Sequence, residues 1–371
     1  MTDLGTTTKD ASTPVIIEVE KHDNQHKFAL LTSAQNILDG DNHRICMCCK
    51  SAIPDQDIQI KANQDKTRAG WAGLMKCGNV WGCPVCSSKI SEERREELAQ
   101  AVAVAKNRGW TVVMMTNTVS HHKGQSAREV LLFFRKCWAK FTGGRFREQF
   151  YEDWRIQGSV RALETTYGEN GWHIHTHTLL FLDLGDEWQL KSEDQPEDSD
   201  ETLYDDLFPT DGVHKMEQEA RRRWIQVVES YGGKANKQGL VITKHDGKLD
   251  EYIAKYGKLP DPSKTQIDEW DEAAELTKAV TKKGKVEGGR TPFQLLADAH
   301  DGDKRSAYLF REYVLAMYKQ PQLVWSKGLK ADLLADVDEL TDQEIANQEE
   351  TETVATLERE TYREVVNQKM R

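Results

Sequence analysis

Two stretches decide the reading of this chain: GSVRALETTY over Gly158 to Tyr167 and WHIHTHTLLFL over Trp172 to Leu182, joined through Gly168-Glu169-Asn170-Gly171. Both are rich in β-branched and aromatic residues, and Asn170 with Gly171 suits a hairpin turn, so the pair reads as two antiparallel strands. In a strand, alternate side chains share a face, which puts His173, His175 and His177 together on one side of the sheet. Glu164, on the preceding strand, faces back across the hairpin. Two imidazoles and a carboxylate leave open positions on a divalent ion, where a phosphate oxygen can be polarised. The bland alternative is a polar, solvated strand face. Three histidines in register beside the apolar run Leu179 to Leu182 weigh against it. A catalytic zinc hydrolase is a rival that spacing does not exclude.

Working outward, Ser88 to Lys106 has the charge pairs and apolar spacing of an amphipathic helix, and Trp110 to Val119 reads as a buried strand. Ala127 to Phe141 and Val213 to Tyr231 read as helices, Leu240 to Thr243 as a strand and Leu249 to Tyr256 as a helix. Thr291 and Pro292 open helical patterns running through Lys319. The expected class is α+β: a central antiparallel sheet carrying the His-x-His strand, flanked by helices. Five regions are expected. Residues 1–43 form a flexible N-terminal segment, 44–90 a Cys-rich zinc-binding module, 91–260 the core with an acidic insertion at 183–206, 261–330 a C-terminal helical region and 331–371 an acidic tail, read as one solvated, partly disordered helix.

Six of the seven cysteines fall between Cys46 and Cys86. With no basic leader ahead of an apolar run and no run of about 18 apolar residues, the chain reads as cytoplasmic with no membrane partner, where clustered thiols point to metal rather than disulfides. Cys83-Pro84-Val85-Cys86 is a zinc knuckle preceded by Cys77. The remaining ligands come from Cys46, Cys48 and Cys49; spacing does not choose, and Cys46 and Cys49 are carried forward as candidates. The formal charge is −11, which argues against nucleic acid until its distribution is read. The segments 183–206 and 331–371 contribute −10 and −8, leaving +7 on the rest, a basic body suited to phosphates.

Tyr252 and Tyr256 are four apart, so on a helix both phenols share a face, with Lys255 adjacent. A phenol ionises near pH 10 and needs a nearby cation or base to act as a nucleophile. Tyrosine attack on a phosphodiester conserves its energy as phosphotyrosine. Packing of two tyrosines against a core is the plainer reading of the spacing alone.

Taken in order, CGNVWGCPVCSSKI (Cys77 to Ile90), His175-Thr176-His177, the Tyr252-Ile253-Ala254-Lys255-Tyr256 segment, and GRTPFQLL from Gly289 with WSKGLK (Trp325 to Lys330) resemble the plasmid rolling-circle replication initiator family, within the HUH endonuclease superfamily. The resemblance runs from about residue 44 to 330. Thr176 stands where that pattern usually has a bulky apolar residue. The resemblance implies that 91–260 is the endonuclease core, that His175, His177 and Glu164 bind Mg²⁺ or Mn²⁺ with His173 as a further ligand or neighbour, and that Tyr252 is the first nucleophile, with Tyr256 taking the strand in turn. It implies plasmid origin DNA, single-stranded or in a hairpin, as partner. Without a Walker-type phosphate loop in the sequence, a host helicase and DNA polymerase are expected to supply unwinding and synthesis. Runners-up are a phage initiator, a relaxase or transposase of the same chemistry, and a non-enzymatic zinc DNA-binding regulator.

Overall fold

The computed structural model describes residues 13–65, 69–185, 212–244, 289–335 and 339–367, with side chains from residue 25 in the first segment and to residue 243 in the third. The architecture is α+β. A five-stranded antiparallel sheet combines β3 (Thr111–Thr118), β4 (Ile156–Gly168), β5 (Gly171–Leu182), β6 (Leu240–Lys244) and β7 (Leu323–Trp325), in the order β6-β3-β5-β4-β7. A three-stranded sheet holds β1 (Ile58–Ala62) between β2 (Ala69–Ala72) and β8 (Glu352–Leu357).

The β4–β5 hairpin closes on the Gly168–Gly171 pair, so its two loop residues are Glu169 and Asn170, and Gly171 begins the second strand. Gly171 has φ +90, and a Cβ there would meet the Lys123 Cα at 2.9 Å. The position therefore needs glycine on both conformational and steric grounds. Beyond the turn the register is unbroken from Ser159 to Gly168, setting Glu164 opposite His175 and Ala162 opposite His177. On the other side of β5, Thr118 opposes His175 and Thr116 opposes His177. A one-residue slip would turn every histidine to the opposite face, so the buried pattern of β5 fixes the site as well as the fold.

Being the central strand, β5 is covered on both faces. On the histidine face, Val112, Met114, Val160, Leu179 and Phe181 pack under Leu98, Ala101, Val102 and Ala105 of α2 (Pro84–Asn107) and Leu329 and Leu333 of α8 (Leu329–Leu333). The opposite face, with Val113, Met115, Ile174 and Leu180, packs against α3 (Ala127–Phe141) and α5 (Gly212–Ser230) through Val130, Phe134, Trp224 and Val227. Full burial of one such side chain contributes about 1.5–3 kcal/mol. The α3 helix begins with a capping box between Ser126 and Glu129; α4 (Gly144–Asp153) follows it. The helical pattern from Thr291 resolves into α6 (Pro292–His300), with a Thr291–Gln294 capping box and Pro292 in its first turn, and α7 (Lys304–Ala316).

Two expectations are corrected. Residues 1–43 are not a flexible lead-in throughout: α1 (Thr13–Ile37) is a helix, and Leu30, Leu31, Ala34 and Leu38 are buried in the main core. The polar run Glu20 to Lys27 separates the apolar positions at its two ends, which is why no continuous helical period showed in the sequence. Nor is 331–371 one solvated helix. It contains the rest of α8, then α9 (Asp342–Asn347), strand β8 and α10 (Arg359–Asn367), with Ile345, Ala346 and Tyr362 buried. The strand pairs with β1, an arrangement between residues about 300 positions apart that local pattern cannot reveal. Acidic groups of this segment are used: Asp342 pairs with Arg94 at 3.0 Å and Glu349 with Lys61 at 2.9 Å. The acidic insertion beyond residue 185, the expected helix Leu249 to Tyr256 and the part of the C-terminal helical region before Gly289 lie outside the described residues.

Candidate metal centres

Among the described residues, two groups of side chains could hold a metal ion: Glu164, His175 and His177 in one, and Cys48, Cys77, Cys83 and Cys86 in the other. The first is built by one hairpin. Oε2 of Glu164 lies 3.2 Å from Nε2 of His175 and 3.2 Å from Nε2 of His177. All three residues are buried, Glu164 and His177 to 2 % exposure. Nδ1 of His177 sits 2.9 Å from Oγ1 of Thr116 on β3; a hydrogen bond donated there by Nδ1 leaves Nε2 with its lone pair. An ionised carboxylate and imidazole lone pairs are all acceptors, and acceptors packed this closely need a shared proton or a cation between them. Ligands about 2.1 Å from one ion stand about 3.0 Å apart at right angles and about 3.4 Å apart tetrahedrally, so the 3.2 Å spacing fits a coordinated cation.

His173 does not join this group. Its ring stacks on His175 at 4.7 Å and lies 5.1 Å from that of His121, against which it is tilted. Burial, aided by the neighbouring His175 and His121, lowers its pKa to about 3, so it stays neutral. Its place in the structure is as the side wall of the site.

The thiol cluster is closed. The Cys48 and Cys77 sulfurs each lie 3.6 Å from that of Cys86, and Cys83 lies 3.7 Å from Cys48. Four thiolates at about 2.3 Å from a tetrahedral zinc stand about 3.8 Å apart, close to what is seen. Cys83 is also the N-cap of α2, its sulfur accepting from the Cys86 N–H, and Pro84 fills the first turn. The knuckle thus starts the helix that covers the histidine face. Without metal, the Cys86 thiol is lowered well below its ordinary range by hydrogen bonds from Cys48, Cys77 and Cys83, while burial pushes Cys77 and Cys83 up.

The fourth sulfur of the cluster is that of Cys48, in place of the expected Cys46 or Cys49. The Cys46 sulfur points back to the Gln35 and Leu38 carbonyls of the α1 end, at 3.7 and 3.5 Å. Cys49, at φ +51, turns its sulfur toward the Lys76 ammonium, 3.3 Å away. Its pKa falls to about 7, through the hydrogen bond from Cys48 first and then, against burial, the charge of Lys76. The tail closes over this loop: the Tyr362 hydroxyl donates to the Cys49 carbonyl at 2.6 Å, and its ring meets Trp71 edge-on at 5.0 Å. Trp71 therefore packs, and Trp81 is buried with its Nε1 donating to the Gln320 carbonyl.

Tyr252, Lys255 and Tyr256 lie outside the described residues. Sequence reasoning missed Thr116 and Tyr362. Thr116 sits in the strand Trp110 to Val119, but only the β3–β5 register identifies it as the partner of His177. Nothing local marks Tyr362. Among the described residues, no helix is long and apolar enough to cross a membrane.

Two curated proteins are similar to part of this chain. One, named "Protein rep" and from Streptomyces lividans, is 32 % identical over 137 residues, covering 30 % of each protein. The other, named "Neomycin resistance protein" and from Streptomyces cyanogenus, is 28 % identical over 148 residues, covering 32 % of this chain and 33 % of the relative. The chain thus spans about a third of the length of the curated relatives it matches. No family model and no solved structure matches.

Proposed function

We propose that this protein initiates plasmid rolling-circle replication by cutting one strand of origin DNA and holding the new 5′ end as a phosphotyrosine. The observation that carries the proposal is the convergence of Glu164 Oε2 and the Nε2 atoms of His175 and His177, three acceptors on two adjacent strands. Bound there, a divalent cation, Mg²⁺ or Mn²⁺ in this reading, would polarise an oxygen of the scissile phosphate. Glu164 and His177 are immobilised by burial, and Thr116 orients the His177 ring, so the ligands are organised before substrate arrives. A Tyr252 phenolate then attacks phosphorus in line, forming the Tyr–O–P bond as the P–O3′ bond breaks and the electron pair leaves on the 3′ oxygen. The Tyr256 phenol takes the strand at the end of the cycle, and Lys255 stabilises the phenolates. The roles of Tyr252, Lys255 and Tyr256 rest on the sequence motif. The name of the Streptomyces lividans relative agrees with a replication role.

The test mixes the purified full chain with Mn²⁺ and single-stranded DNA of its own replicon. The expected result is a DNA adduct that survives boiling in detergent and maps to Tyr252 or Tyr256. Cleavage without an adduct would identify a metal-dependent hydrolase. The closed Cys48–Cys77–Cys83–Cys86 cluster and the basic body support a second reading, a zinc-stabilised DNA-binding regulator. Tight origin binding with no cleavage by the metal-loaded protein would select it.

A further inference from the structure

On the sheet face opposite the histidines, two adjoining cavities of about 180 and 230 Å³ open beside β4, and Trp138, Arg161 and Val324 line both. The parity of the strands sets the face: Arg161 opposes Thr178, and these alternate with Glu164 and His177, which look the other way. In the first cavity the walls are aromatic, with Trp138, Phe141, Phe146 and Tyr151 around it. A cavity of about 150 Å³ holds a benzene ring, and sites for whole drug-sized ligands run to several hundred Å³, so this chamber has room for one flat ring system. The second adds Arg135 and Gln322.

Charge selects the ligand further. Among the described residues lining the two cavities, Arg135, Arg147 and Arg161 are the groups charged at neutral pH, and no carboxylate is with them. Arg161 lies over the Trp138 ring at 4.9 Å and Arg147 over Tyr151 at 4.3 Å, so their guanidinium planes face aromatic rings rather than acids. Burial, and then the nearby Arg135, lower the Arg161 pKa, as expected for a cation kept without a counter-ion. The Thr178 hydroxyl, 2 % exposed and on the cavity wall, has no hydrogen-bond partner among the described residues. A buried hydroxyl with a donor to spare, beside an arginine that no described carboxylate balances, gives the cavity a polar end suited to an anion. Aromatic walls and paired arginines take a flat, polar-edged ring carrying an anion, and a site without acids disfavours amines.

We propose that these paired cavities bind one nucleotide unit, its base in the aromatic chamber and its phosphate against Arg161 and Arg135. The ligand chemistry has two sources, a free nucleoside monophosphate or an unpaired nucleotide turned out of a DNA strand. The site stands on the cavity and does not require that Glu164, His175 and His177 cut anything.

The test photolyses the full-length protein with 8-azidoadenosine 5′-monophosphate and maps the labelled peptides by mass spectrometry. The expected label falls between Phe133 and Tyr151 or on the strand around Arg161. Deoxyadenosine monophosphate should protect at a concentration about tenfold or more below that needed with adenosine, which lacks the phosphate. Arg161→Gln should weaken labelling by a similar factor with its melting temperature unchanged; if that variant does not fold, Arg135→Gln at the exposed rim provides the same comparison. Protection by a short single-stranded oligonucleotide at lower concentration than the monophosphate, and not by its duplex, would assign the site to unpaired DNA; the reverse would assign it to free nucleotide. Label confined to other segments, equal protection by adenosine and its monophosphate, or unchanged labelling of the arginine variants would overturn the site. None of these readouts depends on DNA cleavage, so the outcome is independent of the cutting reaction.

Discussion

The histidine hairpin and the cysteine cluster each gather metal-binding atoms, yet they are assembled in different ways. Glu164, His175 and His177 come from one hairpin, 13 residues apart at most, and are aligned by strand register. Cys48 and Cys86 are 38 residues apart, brought together by loops and the α2 N-terminus. The hairpin offers three ligands and leaves positions open; the cluster offers four, and its geometry closes. Open coordination suits exchange with a substrate, and closed coordination suits holding chain segments together. On the proposed reading, the open centre is the one suited to chemistry and the closed one to stability.

The sharpest way to break that contrast is to remove a ligand from each. His175→Ala or His177→Ala should reduce Mn²⁺-dependent strand cutting on the order of 10²–10³-fold or more, with the melting temperature and origin binding nearly unchanged. Full cutting by both variants in chelated buffer would end the metal assignment. Cys48→Ser should do the converse, losing zinc and several kcal/mol of stability, because metal binding to a structural thiolate site is folding free energy. Cys46→Ser should keep its zinc. Equal zinc loss in both would restore the ambiguity that the sequence left among Cys46, Cys48 and Cys49.

Smaller perturbations sharpen the comparison. Thr116→Val removes the group that orients His177 while keeping its shape, and isothermal titration should show Mn²⁺ affinity falling about 10- to 100-fold. An unchanged affinity would mean that strand packing alone positions the imidazole. Tyr362→Phe deletes the hydrogen bond to the Cys49 carbonyl and should cost about 1 kcal/mol in chemical denaturation, with zinc content intact. A larger loss accompanied by zinc release would make the tail part of the zinc site rather than a cover over its loop.

Much of the hairpin centre was legible because it is local. Period-two alternation and a carboxylate at the right distance before the histidines fix which side chains share a face, and the structure keeps that arrangement from Ser159 to Gly168, with the turn one residue earlier than Asn170-Gly171 suggests. His173 met the same alternation rule yet stands outside the ligand group, since facing the same side does not make a side chain converge on the same point. The knuckle Cys83 to Cys86 was legible too, as a two-residue spacing closed by a helix N-terminus.

By itself, then, the sequence determined the α+β class, the histidine face and three of the four clustered thiols, all consequences of backbone periodicity over a few residues. Only the tertiary structure decided that Cys48 completes the cluster, that α1 enters the core, that the acidic tail adds a strand to β1, and that Thr116 orients His177. These depend on contacts between segments from 29 to about 300 residues apart. Such pairings are chosen by the packing of the whole chain, where local spacing carries no information about which distant partner will be met.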